Sequence, residues 1–175
     1  MTNQEVNKLI RALGGGDTAA LESLYAAMSK PVYYYALQLC CRTDVAEDVM
    51  QETFLAAWKS AASFSDENGR AWLFTIAKNK TLDRLRAEAR QATAEDVTDR
   101  PDSGETIESA MDDLAFWQRL APLSERERSI VSLRLFSGFT LTEVAEELHI
   151  PKGTVFWTYQ NAIKKLRKKE GGERP

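Results

Sequence analysis

The chain has 175 residues, a formal net charge of −3, a 43% hydrophobic content, two cysteines and one histidine, which fits a folded globular protein of one ordinary domain or two small ones. No apolar run approaches the roughly 20 residues that span a bilayer, and the N-terminus M-T-N-Q-E-V-N-K lacks a signal-peptide pattern, so a cytoplasmic protein is expected. Adjacent Cys40 and Cys41 specify neither a disulfide framework nor a zinc site, and no metal, cofactor or catalytic residue is expected.

In chain order, Val6, Leu9, Ile10 and Leu13 have helical spacing, ended by Gly14-Gly15-Gly16. Asp17 can cap a second helix with Leu21, Leu24, Tyr25 and Met28 on its apolar face. Pro31 suits the first turn of a third helix that runs through Tyr33-Tyr34-Tyr35 to Cys41. Three consecutive tyrosines point in different directions, so at most two can be buried.

The next stretch, D-V-A-E-D-V-M-Q-E-T-F-L-A-A-W from Asp44 to Trp58, begins with Asp44 and Glu47 in capping-box spacing. At about 100° per residue, Val45, Ala46, Val49, Met50, Thr53, Phe54, Ala56 and Ala57 share one half of the wheel. The other half carries Glu47, Asp48, Gln51, Glu52 and Lys59, with Leu55 and Trp58 among them. It reads either as a solvated acidic face or as an acidic, aromatic-studded docking face for a basic partner.

After a polar loop from Ser63 to Arg70, with Asn68 as a cap, the helix A-W-L-F-T-I-A-K-N-K-T-L-D-R-L-R is apolar at its start and cationic at its end. Lys78, Lys80, Arg84, Arg86 and Arg90, beside Asn79 and Trp72, form a solvated face or a surface for single-stranded nucleic acid. Residues 93–113 hold eight carboxylates (Glu95, Asp96, Asp99, Asp102, Glu105, Glu108, Asp112, Asp113) against Arg100 alone, and read as an acidic linker. The segment beyond Pro151 is basic, an asymmetry found in chains that touch nucleic acid.

Past the linker, Ile107, Ala110, Met111, Leu114, Trp117 and Leu120 form a helical stripe. Ser124 and Glu127 open a helix with Ile130, Val131, Leu133, Leu135 and Phe136, stopped at Gly138. Thr140 and Glu143 open a short helix, broken at H-I-P-K-G and followed by a long one from about Pro151 to Lys169. The pair reads as a helix-turn-helix with Gly153 in its turn, or as a hairpin that only packs. On the long helix, Val155, Tyr159, Ala162, Ile163 and Leu166 are expected inward, leaving Phe156, Trp157, Thr158, Gln160 and Asn161 outward.

Three segments in order, A-E-D-V-M-Q-E-T-F-L-A-A-W, W-L-F-T-I-A-K-N-K-T-L-D-R-L-R and L-S-E-R-E-R-S-I-V-S-L-R-L-F-S-G-F-T-L-T-E-V-A-E-E-L-H-I-P-K-G-T-V, resemble the extracytoplasmic-function sigma factors of RNA polymerase, in the sigma-70 family. The resemblance implies an all-α chain of two small helical domains: residues 1–90 for core polymerase docking and minus-ten recognition and melting, an acidic linker at 91–112, and a helix-turn-helix domain at 113–175 for the minus-thirty-five element. It places polymerase contacts at Asp48, Gln51 and Glu52, to which the helix face adds Leu55 and Trp58. Minus-ten contacts fall at Trp72, Lys78, Asn79, Lys80, Asp83, Arg84 and Arg86, and minus-thirty-five contacts at Lys152, Thr154, Phe156, Trp157, Thr158, Gln160, Asn161, Lys164 and Lys165. Core RNA polymerase, promoter DNA and an anti-sigma factor are the implied partners.

The chain departs from the family pattern at two places. Gly69 stands where an aromatic residue usually precedes the tryptophan by three positions, which implies an altered strand-separating contact. F-W-T-Y-Q-N-A at 156–162 replaces the usual lysines and arginines of the recognition helix. A helix-turn-helix regulator that works without polymerase, and a sigma-derived protein-interaction module using Phe156 and Trp157, are the alternative readings.

Overall fold

The structure, a computed structural model, describes residues 1–65, 68–92, 118 and 120–171, without the side chains of 91, 92 and 169–171. Among the described residues the regular structure is all helical: α1 (Asn3–Gly14), α2 (Ala19–Cys40), α3 (Thr43–Ser60), α4 (Gly69–Ala92), α5 (Glu125–Leu135), α6 (Leu141–Glu147) and α7 (Lys152–Gly171), with a 3-10 turn at Ala61–Ser63. The chain divides into two compact units, Met1–Asp102 and Ser103–Pro175. The acidic linker and the stripe from Ile107 to Trp117 lie outside the described residues. No described helix is long and apolar enough to cross a membrane.

In the first unit α2 packs against α3 and α4, and α1 lies across α2 and α4. A capping box starts α1: the Glu5 amide donates to Thr2 Oγ1 at 3.3 Å and the Thr2 amide to Glu5 Oε2 at 2.6 Å. Asp17 Oδ1 accepts the Ala19 amide at the start of α2, as expected. Tyr35 is buried and Tyr33 and Tyr34 only half so. Tyr25 is 42% exposed, but its ring sits 4.9 Å from that of Phe54.

Three local expectations change. Pro31 does not start a helix but lies inside α2. Leu24, Met28, Val32 and Tyr35 form one fully buried stripe on both sides of it. Burying such side chains is worth about 1.5–3 kcal/mol each, enough to carry the helix through a proline that costs about 3 kcal/mol. Asp44 does not cap α3, which begins a residue earlier, at Thr43, after an extended Arg42. The Asp44 carboxylate instead takes both Nε and Nη2 of Arg42, at 3.2 and 2.5 Å, while Arg42 Nη1 reaches Glu88 of α4 at 2.9 Å. Finally, Gly69 and Arg70 belong to α4 rather than the loop, because Asn68 caps the helix there, its Oδ1 accepting the Ala71 amide at 3.1 Å.

In the second unit, capping boxes start α5 (Ser124 with Glu127) and α6 (Thr140 with Glu143) as the spacing predicts. After α5 the chain turns at Gly138, whose φ of 74° is left-handed and suits glycine. Ile130, Val131 and Leu133 are buried, but Leu135 is 52% exposed at the end of α5 instead of joining the stripe.

The turn between α6 and α7 also differs from expectation. Gly153 lies within α7, and the left-handed residue is His149, with φ 53°. The Ile150 amide donates to Ala145 O at 3.0 Å and the His149 amide to Glu146 O at 3.3 Å, the two bonds of a Schellman closure. Histidine tolerates this conformation better than branched residues do, so the turn is made without glycine.

Candidate polymerase and nucleic-acid interfaces

On α3, six of the eight residues expected inward, Val45, Ala46, Val49, Thr53, Phe54 and Ala57, are buried, while Met50 and Ala56 are half-buried. The outward half brings together Asp48, Gln51, Glu52, Leu55 and Trp58. Leu55 is 53% and Trp58 49% exposed, far more than a packed helix face leaves to large apolar side chains.

The flank of this face meets α4. Arg84 Nη2 lies 3.1 Å from Asp48 Oδ2 and 2.7 Å from Glu52 Oε1, and Lys80 Nζ lies 3.8 Å from Glu52 Oε2. Two residues read as polymerase contacts and two read as DNA contacts are thus each other's ion-pair partners. Spacing on a single helix cannot reveal this, since the partners lie on different helices, Arg84 and Glu52 being 32 residues apart.

The other α4 candidates separate into two groups. Asn79, Asp83 and Arg86 share one exposed stripe, with Arg86 Nη1 3.2 Å from Asp83 Oδ1. Trp72 is half-buried, its ring 5.2 Å from that of Phe64, over which Arg11 stands at 6.0 Å. Lys78 is half-buried as well. The departure at Gly69 has a packing cause: a Cβ there would come within 2.6 Å of Asn7 Oδ1 and 2.8 Å of Ile10 Cδ1. The Gly69 amide donates to Asn7 Oδ1 at 2.6 Å, so α1 occupies the room an aromatic side chain would need.

In the second unit, α6, the His149 turn and α7 form a helix-turn-helix whose second helix presents Lys152, Phe156, Trp157, Gln160 and Lys164 to solvent, with Thr154 and Asn161 half-buried. Phe156 is 54% and Trp157 69% exposed.

On α7 the outward placement of Thr158 is corrected, and Lys165 has a partner within the fold. Thr158 is 7% exposed and faces inward with Val155 and Ala162, because the buried line runs at i, i+3 and i+7 through Thr158 and not through half-buried Tyr159. It presents no surface to DNA. Lys165, the next position on that line, donates to both Glu127 oxygens of α5, at 2.7 and 2.9 Å, and so is a tie between helices before it is a phosphate anchor.

Burial opposes charge on Glu127. Hydrogen bonds from Lys165 and from the Ser124 amide and hydroxyl outweigh it and hold the carboxyl below the usual range. A depressed folded value contributes stability above the unfolded value and loses it as pH falls through the folded one. Amide hydrogen exchange should show protection of α5 and α7 declining in the acid range below the ordinary glutamate value of 4.5. In Lys165→Met the protection should be lower at neutral pH, by the equivalent of about 1.5–3 kcal/mol for a lost charged hydrogen bond. Its acid dependence should be shallower.

A two-unit helical chain with an acidic, partly apolar face in the first unit and a helix-turn-helix in the second defines a class of DNA-directed regulator, and the comparisons specify it. Residues 24–91 match sigma-70 region 2, and residues 119–168 match sigma-70 region 4. The ECF RNA polymerase sigma factor SigL of Mycobacterium tuberculosis is 29% identical over 164 residues, covering 90% of this chain and 93% of SigL. SigK of Mycobacterium bovis is 25% identical over 175 residues, with 94% and 93% covered. Among solved structures, CnrH in complex with the cytosolic domain of CnrY aligns with TM-score 0.59 at 25% identity, over 97% of this chain and 99% of that one. RpoE of Bartonella quintana, in complex with the anti-sigma factor NepR, shares the fold with TM-score 0.57 at 24% identity, over 87% of this chain and 98% of that one. The chain belongs to the extracytoplasmic-function sigma factors of the sigma-70 family.

Proposed function

We propose that the chain is a specificity subunit of transcription, which binds core RNA polymerase and directs promoter-specific initiation. The observation that carries this is the order of its two matched regions, region 2 followed by region 4. Promoter DNA is its second partner, and an anti-sigma factor its third. It acts in the cytoplasm as a regulatory protein and not as an enzyme. Co-purification with core polymerase, followed by promoter-dependent run-off transcription, tests the reading. A folded chain that neither binds core nor supports run-off would defeat it.

Within this function, residues 1–90 dock and melt, 91–112 link, and 113–175 read the minus-thirty-five element. The docking surface is Asp48, Gln51, Glu52, Leu55 and Trp58 on α3, supported by the exposure of its two large apolar side chains. Minus-ten contacts come from the exposed stripe of α4 and its flank. Asn79 reads a base there, and the cations anchor phosphates, carrying salt dependence without sequence preference. In permanganate footprinting of open complexes, Asn79→Ala should reduce reactivity at particular thymines, and Arg84→Ala should reduce it at all of them. Normal melting by both variants would remove α4 from the assignment.

A further inference from the structure

The cations assigned to DNA on the flank of α4 are ion-paired in the free chain. Asp48 and Glu52 bring two negative charges to the Arg84 guanidinium, at 3.1 and 2.7 Å, and Glu52 also stands 3.8 Å from Lys80. Two cations and two carboxylates cancel, so this cluster offers a polyanion no net attraction. A phosphate approaching Arg84 also meets the carboxylates. All four side chains keep between 36 and 54% of their surface exposed, and exposed pairs of this kind are weak and readily exchanged.

We propose that Arg84 is an exchangeable cation. In the free chain it is held by Asp48 and Glu52, and docking of those carboxylates on a cationic polymerase surface releases it to a phosphate of the minus-ten strand. The inference rests on the docking and minus-ten readings above and adds the coupling between them. Docking supplies the carboxylates with a new counter-charge, and the α4 flank changes from neutral to positive without a change of fold. Linkage makes the effect reciprocal: DNA held by Arg84 tightens docking by the same factor that docking tightens DNA binding. The free chain is thereby kept from binding nucleic acid non-specifically.

The exchange can be tested without polymerase, on the full chain, by fluorescence anisotropy with a short labelled single-stranded DNA of mixed sequence over a salt series. Asp48→Asn with Glu52→Gln imitates neutralisation by a partner while preserving side-chain size. This double variant should bind several-fold more tightly, with a salt slope steeper by about 0.7 for each cation released. Adding Arg84→Gln should remove most of that gain. The milder single variant Glu52→Gln should show the same pattern at smaller amplitude, and circular dichroism checks the helical content of each.

An absent gain overturns the proposal. So does an equal gain in the Arg84→Gln background, which would be an effect of net charge alone. Failure of the docking reading has a different signature: unchanged core-polymerase affinity of a charge-reversed α3, measured with no DNA present.

Discussion

Reversing two charges on α3, Asp48→Arg with Glu52→Arg, is expected to abolish binding to core polymerase while leaving the helical content intact. Close charge pairs in other complexes show coupling energies of about 1.5–7 kcal/mol, and a reversal adds repulsion to the lost attraction. Each 1.4 kcal/mol is about tenfold in affinity, so a loss of two to three orders of magnitude is a modest expectation. The same substitution breaks the ties to Arg84 and sets two new cations beside it. Because those ties are half-exposed, the cost to folding should stay near 1 kcal/mol per pair.

A second variant separates the two effects. Leu55 and Trp58 are half-exposed, so Trp58→Ala should leave stability nearly unchanged. An aromatic anchor at an interface typically costs at least about 2 kcal/mol when truncated, roughly thirtyfold in affinity. Native affinity in a folded Asp48→Arg/Glu52→Arg chain would remove this face from the polymerase interface. Loss in that chain with none in Trp58→Ala would confine the contact to its charged edge.

What the sequence revealed and what it hid divide along one physical line. Properties set within one helix were legible: most of the buried half of α3, the capping boxes of α5 and α6 and the Asp17 cap; the helix expected to stop at Gly138 ends at Leu135, with Gly138 left-handed in the turn beyond. Properties set by a second helix were not. Pro31 looked like a helix start because the stripe that carries α2 through it is visible only against α3 and α4. Asp44 had the right spacing for a cap, but Arg42 donates to its carboxylate and also reaches Glu88 of α4. The α7 wheel was misplaced by a fraction of a turn because both Thr158 and Tyr159 fit between Val155 and Ala162, and only packing against α5 and α6 decides between them. The candidate site follows the same rule. Its members were readable singly, whereas the pairing of Asp48 and Glu52 with Lys80 and Arg84 needed the fold.

Binding-site selection with the full chain in holoenzyme should enrich an A·T-biased minus-thirty-five element, and the reason lies in the outward face of α7. With Thr158 buried and Lys165 engaged by Glu127, the side chains left to enter a major groove are led by Phe156, Trp157 and Gln160, with Asn161 at the edge. Apolar rings favour the thymine methyl group, and Gln or Asn pairs in bidentate fashion with adenine, while the arginine or lysine that reads guanine is missing from these positions. Phosphate anchoring then falls to Lys152 and Lys164, both exposed, so salt dependence should follow these two and sequence preference the aromatic pair. Lys164→Ala should weaken binding to all sites about equally. Trp157→Ala should relax selection at one or two positions, by about 1–3 kcal/mol each. Enrichment of a G·C-rich element would overturn the assignment. Enrichment of no element, with minus-ten selection retained, would instead make Phe156 and Trp157 a surface for protein, because two rings this exposed on a helix that reads no base still need a partner to cover them.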